Sequence, residues 1–220
     1  MKLITTCFKH KLNLRNLEFK LCFVKNINNR FIDEIVIFFE NYDDSLSTLT
    51  EFDYMRNNKV KIINVDSFPN YSVLFDYANE NYKGEIVIVA NADIYFDETL
   101  AKVENLKFKD NMMLFLTRYG IDNSGHEFLQ NTGSFDSYIF RSPVQSFYNG
   151  IMMGVLGCDS YLLQRAIEAG MKVYNPALSV NSYHHHSCGG KSESRNGFRY
   201  WDQEYYKGFG RKYCKIEEIK

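Results

Sequence analysis

The sequence predicts an α/β protein with a mixed, mainly parallel central sheet flanked by helices. Short apolar runs alternate with helix-like segments through the first half, and the connections between them are brief. One run, Glu85-Ile-Val-Ile-Val-Ala90, is apolar almost throughout, as a strand covered on both faces must be. It leads directly into Asn91-Ala92-Asp93.

Leu3 to Cys7 reads as the first strand, and Leu14 to Ile27 as a helix with Leu14, Leu17, Leu21 and Val24 on one face. Ile35 to Phe39 is the second strand, Ser47 to Met55 a short helix and Val60 to Val65 the third strand, a βαβαβ start. Pro69 stands at a first helical position ahead of Tyr71 to Asn81, where Val73, Leu74, Tyr77 and Ala78 are spaced for burial. Gly84 stops that helix. After the Ile86 to Ala90 strand and its acidic turn come a helix from about Glu98 to Leu106 and a strand from Met112 to Thr117.

Between Gly120 and Gly157 the pattern breaks into short runs such as Ser137-Tyr-Ile-Phe140, separated by glycines, the kind of sequence that shapes a site or a lid. A clear helix follows at Ser160 to Ala169, with Asp159 as its N-cap, Gly170 as its stop and Leu162, Leu163, Ala166 and Ile167 as its buried face. Met171 to Tyr174 is a closing strand. Beyond Asn175-Pro176 come Tyr183-His-His-His-Ser187 and a Gly/Ser/Lys/Arg segment to about Gly197.

With 220 residues and no linker-like stretch, a single domain over 1–220 is expected. A net charge of −1 gives no general attraction to nucleic acid or to anionic membranes, so phosphate recognition is expected to be local. The N-terminus offers no long apolar core of a signal peptide, and no apolar segment reaches spanning length. Five cysteines, odd in number and without a CxxC pair, fit a reduced, cytoplasmic protein.

Open α/β sheets place their chemistry at the carboxyl ends of strands, and a carboxylate there is a hard oxygen ligand suited to Mg²⁺ or Mn²⁺. Asp93 is that carboxylate, the alternative being an Asx turn that only bonds nearby amides. On an extended strand His184 and His186 share a face and His185 opposes them. Either of the pair is a candidate to complete a metal shell, against the alternative of a polar surface run. A separate zinc site from His184, His186 and Cys188 lacks the paired Cys-x-x-Cys of structural sites.

Three ordered features carry a family resemblance: the Asn91-Ala92-Asp93 turn, the run Gly157-Cys158-Asp159-Ser160-Tyr161-Leu162-Leu163, and Glu168-Ala-Gly-Met-Lys-Val-Tyr-Asn-Pro176 followed by His184-x-His186. Together they resemble GT-A-type nucleotide-sugar glycosyltransferases, of the compact kind found in bacterial polysaccharide clusters and large DNA viruses. The turn is similar to their DxD motif, with Asn91 where the first Asp usually stands.

The resemblance implies a donor half over 1–95, an acceptor half over 96–187 and a basic C-terminal loop and tail over 188–220. It implies transfer of a sugar from a nucleotide diphosphate donor, a UDP-sugar first, to a glycan hydroxyl, with Mg²⁺ or Mn²⁺ as cofactor. Thr5, Thr6, Asn70 and Tyr71 would begin the nucleotide pocket, Asn91 and Asp93 would meet the donor and metal, and Lys191 and Arg195 would fold over the diphosphate. Asp159 would accept the acceptor's proton in an inverting enzyme or orient the acceptor in a retaining one, and Asp136 would contact sugar hydroxyls. Cys158 replaces the acidic partner that inverting members place beside this Asp.

Two alternatives accompany this reading. A sugar-phosphate nucleotidyltransferase also pairs an α/β sheet with metal-binding carboxylates, but the segment after the first strand, Cys7-Phe-Lys-His-Lys-Leu12, lacks the expected glycines. A non-catalytic nucleotide-sugar-binding module would account for Asn91 and Cys158.

Overall fold

The computed structural model describes residues 1–121, 127–129, 134–155 and 157–185. In chain order the elements are β1 (Lys2–Phe8), α1 (Asn13–Asn28), β2 (Glu34–Glu40), two 3-10 stretches (Asp44–Thr48 and Thr50–Arg56), β3 (Val60–Val65), α2 (Tyr71–Asn81) and β4 (Ile86–Ala90). There follow β5 (Ile94–Phe96), a 3-10 turn (Glu98–Leu100) running into α3 (Ala101–Glu104), β6 (Met112–Thr117), β7 (Tyr119–Ile121) and β8 (Glu127–Leu129). The described chain ends with β9 (Phe135–Arg141), α4 (Cys158–Glu168), β10 (Lys172–Tyr174) and β11 (Ser182–His184).

Seven strands form the central sheet in the order β10-β6-β9-β4-β1-β2-β3. All neighbours run parallel except β9, which is antiparallel to both β4 and β6. Strand alternation builds two cores, one on each face. Ile4, Val36 and Phe38 point to the face covered by α2 and α4, while Leu3, Ile35, Ile37 and Phe39 point to the face covered by α1 and the 3-10 stretches.

A second sheet, β5-β11-β7-β8, stands at the carboxyl edge of the first. The sequence reading missed it because three-residue strands are too short to show alternation. It positions the site, because pairing of β11 with β5 sets His184 opposite Ile94, the residue after Asp93.

Several local expectations are corrected. Ser47 to Met55 is not one α-helix but parts of two 3-10 stretches. Asn70, not Pro69, opens α2: its Oδ1 accepts the Val73 amide at 3.2 Å. Asp159 is not the cap of α4, since Gly157 occupies that place at φ +85°, a left-handed conformation that a side chain would strain.

The largest correction concerns α1. The face that periodicity picks out, Leu14, Leu17, Leu21 and Val24, points away from the sheet, and the buried residues are Asn16, Glu18, Phe19, Cys22, Phe23, Asn26 and Ile27. The asparagines among them are both partnered: Asn26 serves the second sheet, its Nδ2 donating to the Ile94 carbonyl at 2.9 Å and its Oδ1 accepting the Phe96 amide at 3.1 Å, while Asn16 bonds both backbone groups of His10.

Candidate active site

The antiparallel course of β9 brings its first residues to the edge where β4 and β6 end. Register pairs Ala90 with Ser137, so Asn91 meets Asp136 one step further on. The Asn91 amide N–H donates to the Asp136 carbonyl at 3.1 Å, and Asn91 Nδ2 donates to Asp136 Oδ1 at 2.7 Å. Arg118, directly after β6, pairs with Asp136 Oδ2. Two sequence-predicted residues are thus joined, and an arginine is added to them.

Asp93 is buried and is held from two elements far apart in sequence. Arg15, in the first turn of α1, pairs through Nη2 with Asp93 Oδ2, and His184 Nε2 lies 3.1 Å from the same oxygen. Arg15 Nη1 also donates to Glu18 at 2.6 Å, and the His185 amide donates to the Asp93 carbonyl at 3.0 Å. Burial alone would push the Asp93 carboxyl up. His184 and Arg15 outweigh that and hold it well below the usual carboxylate range. Burial likewise opposes the charge of Arg15, and Asp93 and Glu18 more than restore it.

Asp159 sits in the first turn of α4, where its Oδ2 accepts the Phe135 amide at 3.0 Å. Burial and the charge of neighbouring Asp136 push its pKa up to about 6, against the amides of Phe135 and Ser160 and the charge of Arg118. A partly exposed carboxylate that titrates just below neutrality is suited to take up a proton and give it back. Cys158, beside it, is different in kind. Burial, then the Asp159 charge, raises its thiol to about 12, and its Sγ lies 3.8 Å from the Tyr71 hydroxyl.

Of the remaining predicted residues, Thr5 and Thr6 are buried within β1, where they pair with Ile37 and Phe38 of β2, and Thr5 also pairs with Ala90 at the end of β4, just before the acidic turn. Tyr71 is 1% exposed, bonded through its hydroxyl to Tyr138 at 3.0 Å and packed edge-on against that ring, so core packing leaves its ring no open face for a base. Asn70 caps α2 at the same edge of the sheet. His186, Lys191 and Arg195 lie outside the described residues.

Arg15 and Arg118 were missed from sequence. Arg118 had a signal, since it follows a buried strand just as Asp93 does. Arg15 had none, because only the packing of α1 against β5 and β11 brings it to the acidic turn.

The described side chains do not make up a site for the Mg²⁺ or Mn²⁺ expected at this turn. Asp93 and His184 are its two described candidates, they meet on one oxygen that Arg15 also takes, and Asn91 turns its amide nitrogen to Asp136. Among the described residues no three His, Cys, Asp or Glu side chains gather closely enough to hold a metal.

By sequence, no protein-family model and no curated protein matches this chain. By structure, it is similar to S. aureus TarS 1–349 in complex with UDP-GlcNAc, at a TM-score of 0.56 and 15% identity over 88% of this chain. The match spans 61% of that TarS chain. A more distant likeness, at a TM-score of 0.42 and 13% identity, is to HddC from Yersinia pseudotuberculosis, over 68% of this chain and 84% of that one. The TarS likeness and the seven-stranded, mainly parallel sheet between helices give this chain a GT-A-like, Rossmann-type fold.

Proposed function

We propose that this chain is a glycosyltransferase that moves a sugar from a nucleotide diphosphate donor to a hydroxyl of a glycan acceptor. The observation that carries the reading is the pairing of two unlike centres at one sheet edge. Arg15 and His184 gather on Asp93, and a carboxylate with a pKa of about 6, Asp159, stands beside the Asp136–Arg118 pair. The Asn91-Ala92-Asp93 turn links them.

The chemistry needs both. An acceptor oxygen attacks the anomeric carbon while its proton passes to the Asp159 carboxylate, and the bond from that carbon to the diphosphate oxygen breaks. The negative charge that develops on the departing diphosphate must be met by fixed donors; in this reading the guanidinium of Arg15 and the imidazole of His184, which meet at Asp93, supply them. Arg118 keeps Asp136 in place, leaving that carboxylate to orient sugar hydroxyls.

The likeness to TarS makes UDP-GlcNAc the first donor to test. Release of UDP, GDP or CMP from the corresponding nucleotide sugar is followed with a panel of glycan acceptors, in EDTA and in Mn²⁺. Acceptor-dependent release from one donor is expected. Donor binding with no turnover on any acceptor would reduce the protein to a binding module.

A further inference from the structure

The outward face of α1 has the composition of a covered one. Phe19, Cys22, Phe23 and Ile27 face the sheet, yet Leu14, Leu17, Leu21 and Val24 are 67, 44, 39 and 37% exposed, and Leu12 just ahead of the helix is 57% exposed. At 3.6 residues per turn the four helical side chains fall within an arc of roughly 80° and make one stripe about 15 Å long. A helix apolar on both sides is ordinarily covered on both, and a contiguous exposed stripe marks a docking surface where scattered leucines would not.

The rim of the stripe says what covers it. Lys25 borders one side and Lys20 the other, with Lys9 and Lys11 at the N-terminal end; Lys20 is steadied by Asp53 at 2.9 Å and Lys25 lies over the Tyr95 ring. From Lys9 to Asn28 the one acid is Glu18, and it is buried against Arg15. Lysine is depleted from protein–protein interfaces, whereas an apolar stripe edged by lysines suits an anionic membrane surface. There the leucines enter the acyl boundary while the lysines reach the phosphates.

We propose that α1 docks flat on an anionic lipid bilayer through Leu14, Leu17, Leu21 and Val24, with Lys9, Lys11 and Lys25 on the headgroups. The helix lies on the membrane and does not cross it; no helix among the described residues is long and apolar enough to do so. Arg15 at the head of this helix also holds Asp93, so docking sets the candidate active site beside the membrane, within reach of a lipid-borne acceptor. That last consequence rests on the proposed function. The docking itself does not.

The test is co-sedimentation of the full chain with vesicles of phosphatidylcholine alone and of phosphatidylcholine mixed with phosphatidylglycerol, at low and high salt. Wild type is expected to bind the mixed vesicles about tenfold or more better than the neutral ones, and less well at high salt. The paired change Leu17→Ser with Leu21→Ser, and separately Lys9→Glu with Lys11→Glu, each lowers binding by about tenfold or more, with the thermal midpoint kept. Absence of binding to mixed vesicles, or equal binding by either variant, overturns the proposal. So does a leucine variant that melts markedly earlier, which would show residues 186–220 covering the stripe, or one that turns a dimer into a monomer, which would show a second copy there.

Discussion

Asp159→Asn lowers turnover by roughly a hundredfold or more at pH 8, the ordinary worth of a positioned general base, while donor binding changes little. The wild-type rate rises with pH through about 6, where Asp159 ionises, and is level above it. The variant loses that rise. An unchanged profile in the variant would remove Asp159 from the chemistry.

The same substitution carries an opposite sign for stability. The pKa of Asp159 is raised in the fold, so its ionisation opposes folding, and stability falls as pH climbs from the unfolded value near 4 to about 6. Replacing the charge by a neutral amide removes that cost. Asp159→Asn therefore melts higher than wild type at pH 8, and the two converge near pH 4, as thermal scans at both values would show.

Asp93→Ala has the largest effect on the fold. Its side chain is 12% exposed, and removing it leaves Arg15, 13% exposed, without one of two buried counter-charges. Breaking such a pair costs about 3 kcal/mol, the lower end of the usual range, because Glu18 remains to share the guanidinium. Here the native pKa is depressed, so the stabilisation is present above the unfolded value near 4 and is lost as pH falls through the native one. Urea unfolding of wild type and variant at pH 7 and at pH 3 checks this, with the gap narrower at pH 3. The variant also releases Arg15 and His184 from their places, and donor affinity falls with them.

What the sequence made legible depended on how local the determinant was. The apolar run at Ile86 to Ala90 and the turn after it could be read because burial on both faces and chain direction together place Asp93 at a carboxyl edge. Asp159 and Asp136 were identifiable as candidates, but their proximity was not, since it arises from β9 running against its neighbours. His184 was legible as a residue type, and its contact with Asp93 follows from a three-residue pairing that no periodicity reveals.

Helix α1 shows where the physical argument itself misleads. Periodicity reports that an apolar face exists and is silent on which side the sheet lies, and here both sides of the helix are apolar. Tyr71 shows the converse. Its position at a helix start suggested an open ring, yet a tyrosine with a buried hydroxyl partner in Tyr138 is a core residue.

The most direct test is thermal unfolding of wild type and Arg15→Lys with UDP-, GDP- and CMP-sugars, each in EDTA and in Mn²⁺. A donor that binds only the folded state raises the midpoint, by an amount equivalent to about 2.7 kcal/mol at a hundredfold excess over its Kd. Lysine keeps the charge but lacks the fork that spans Asp93 and Glu18 together. The account predicts a clear rise for wild type with one nucleotide and a much smaller rise for the variant; no rise with any donor, or equal rises in both proteins, would contradict it.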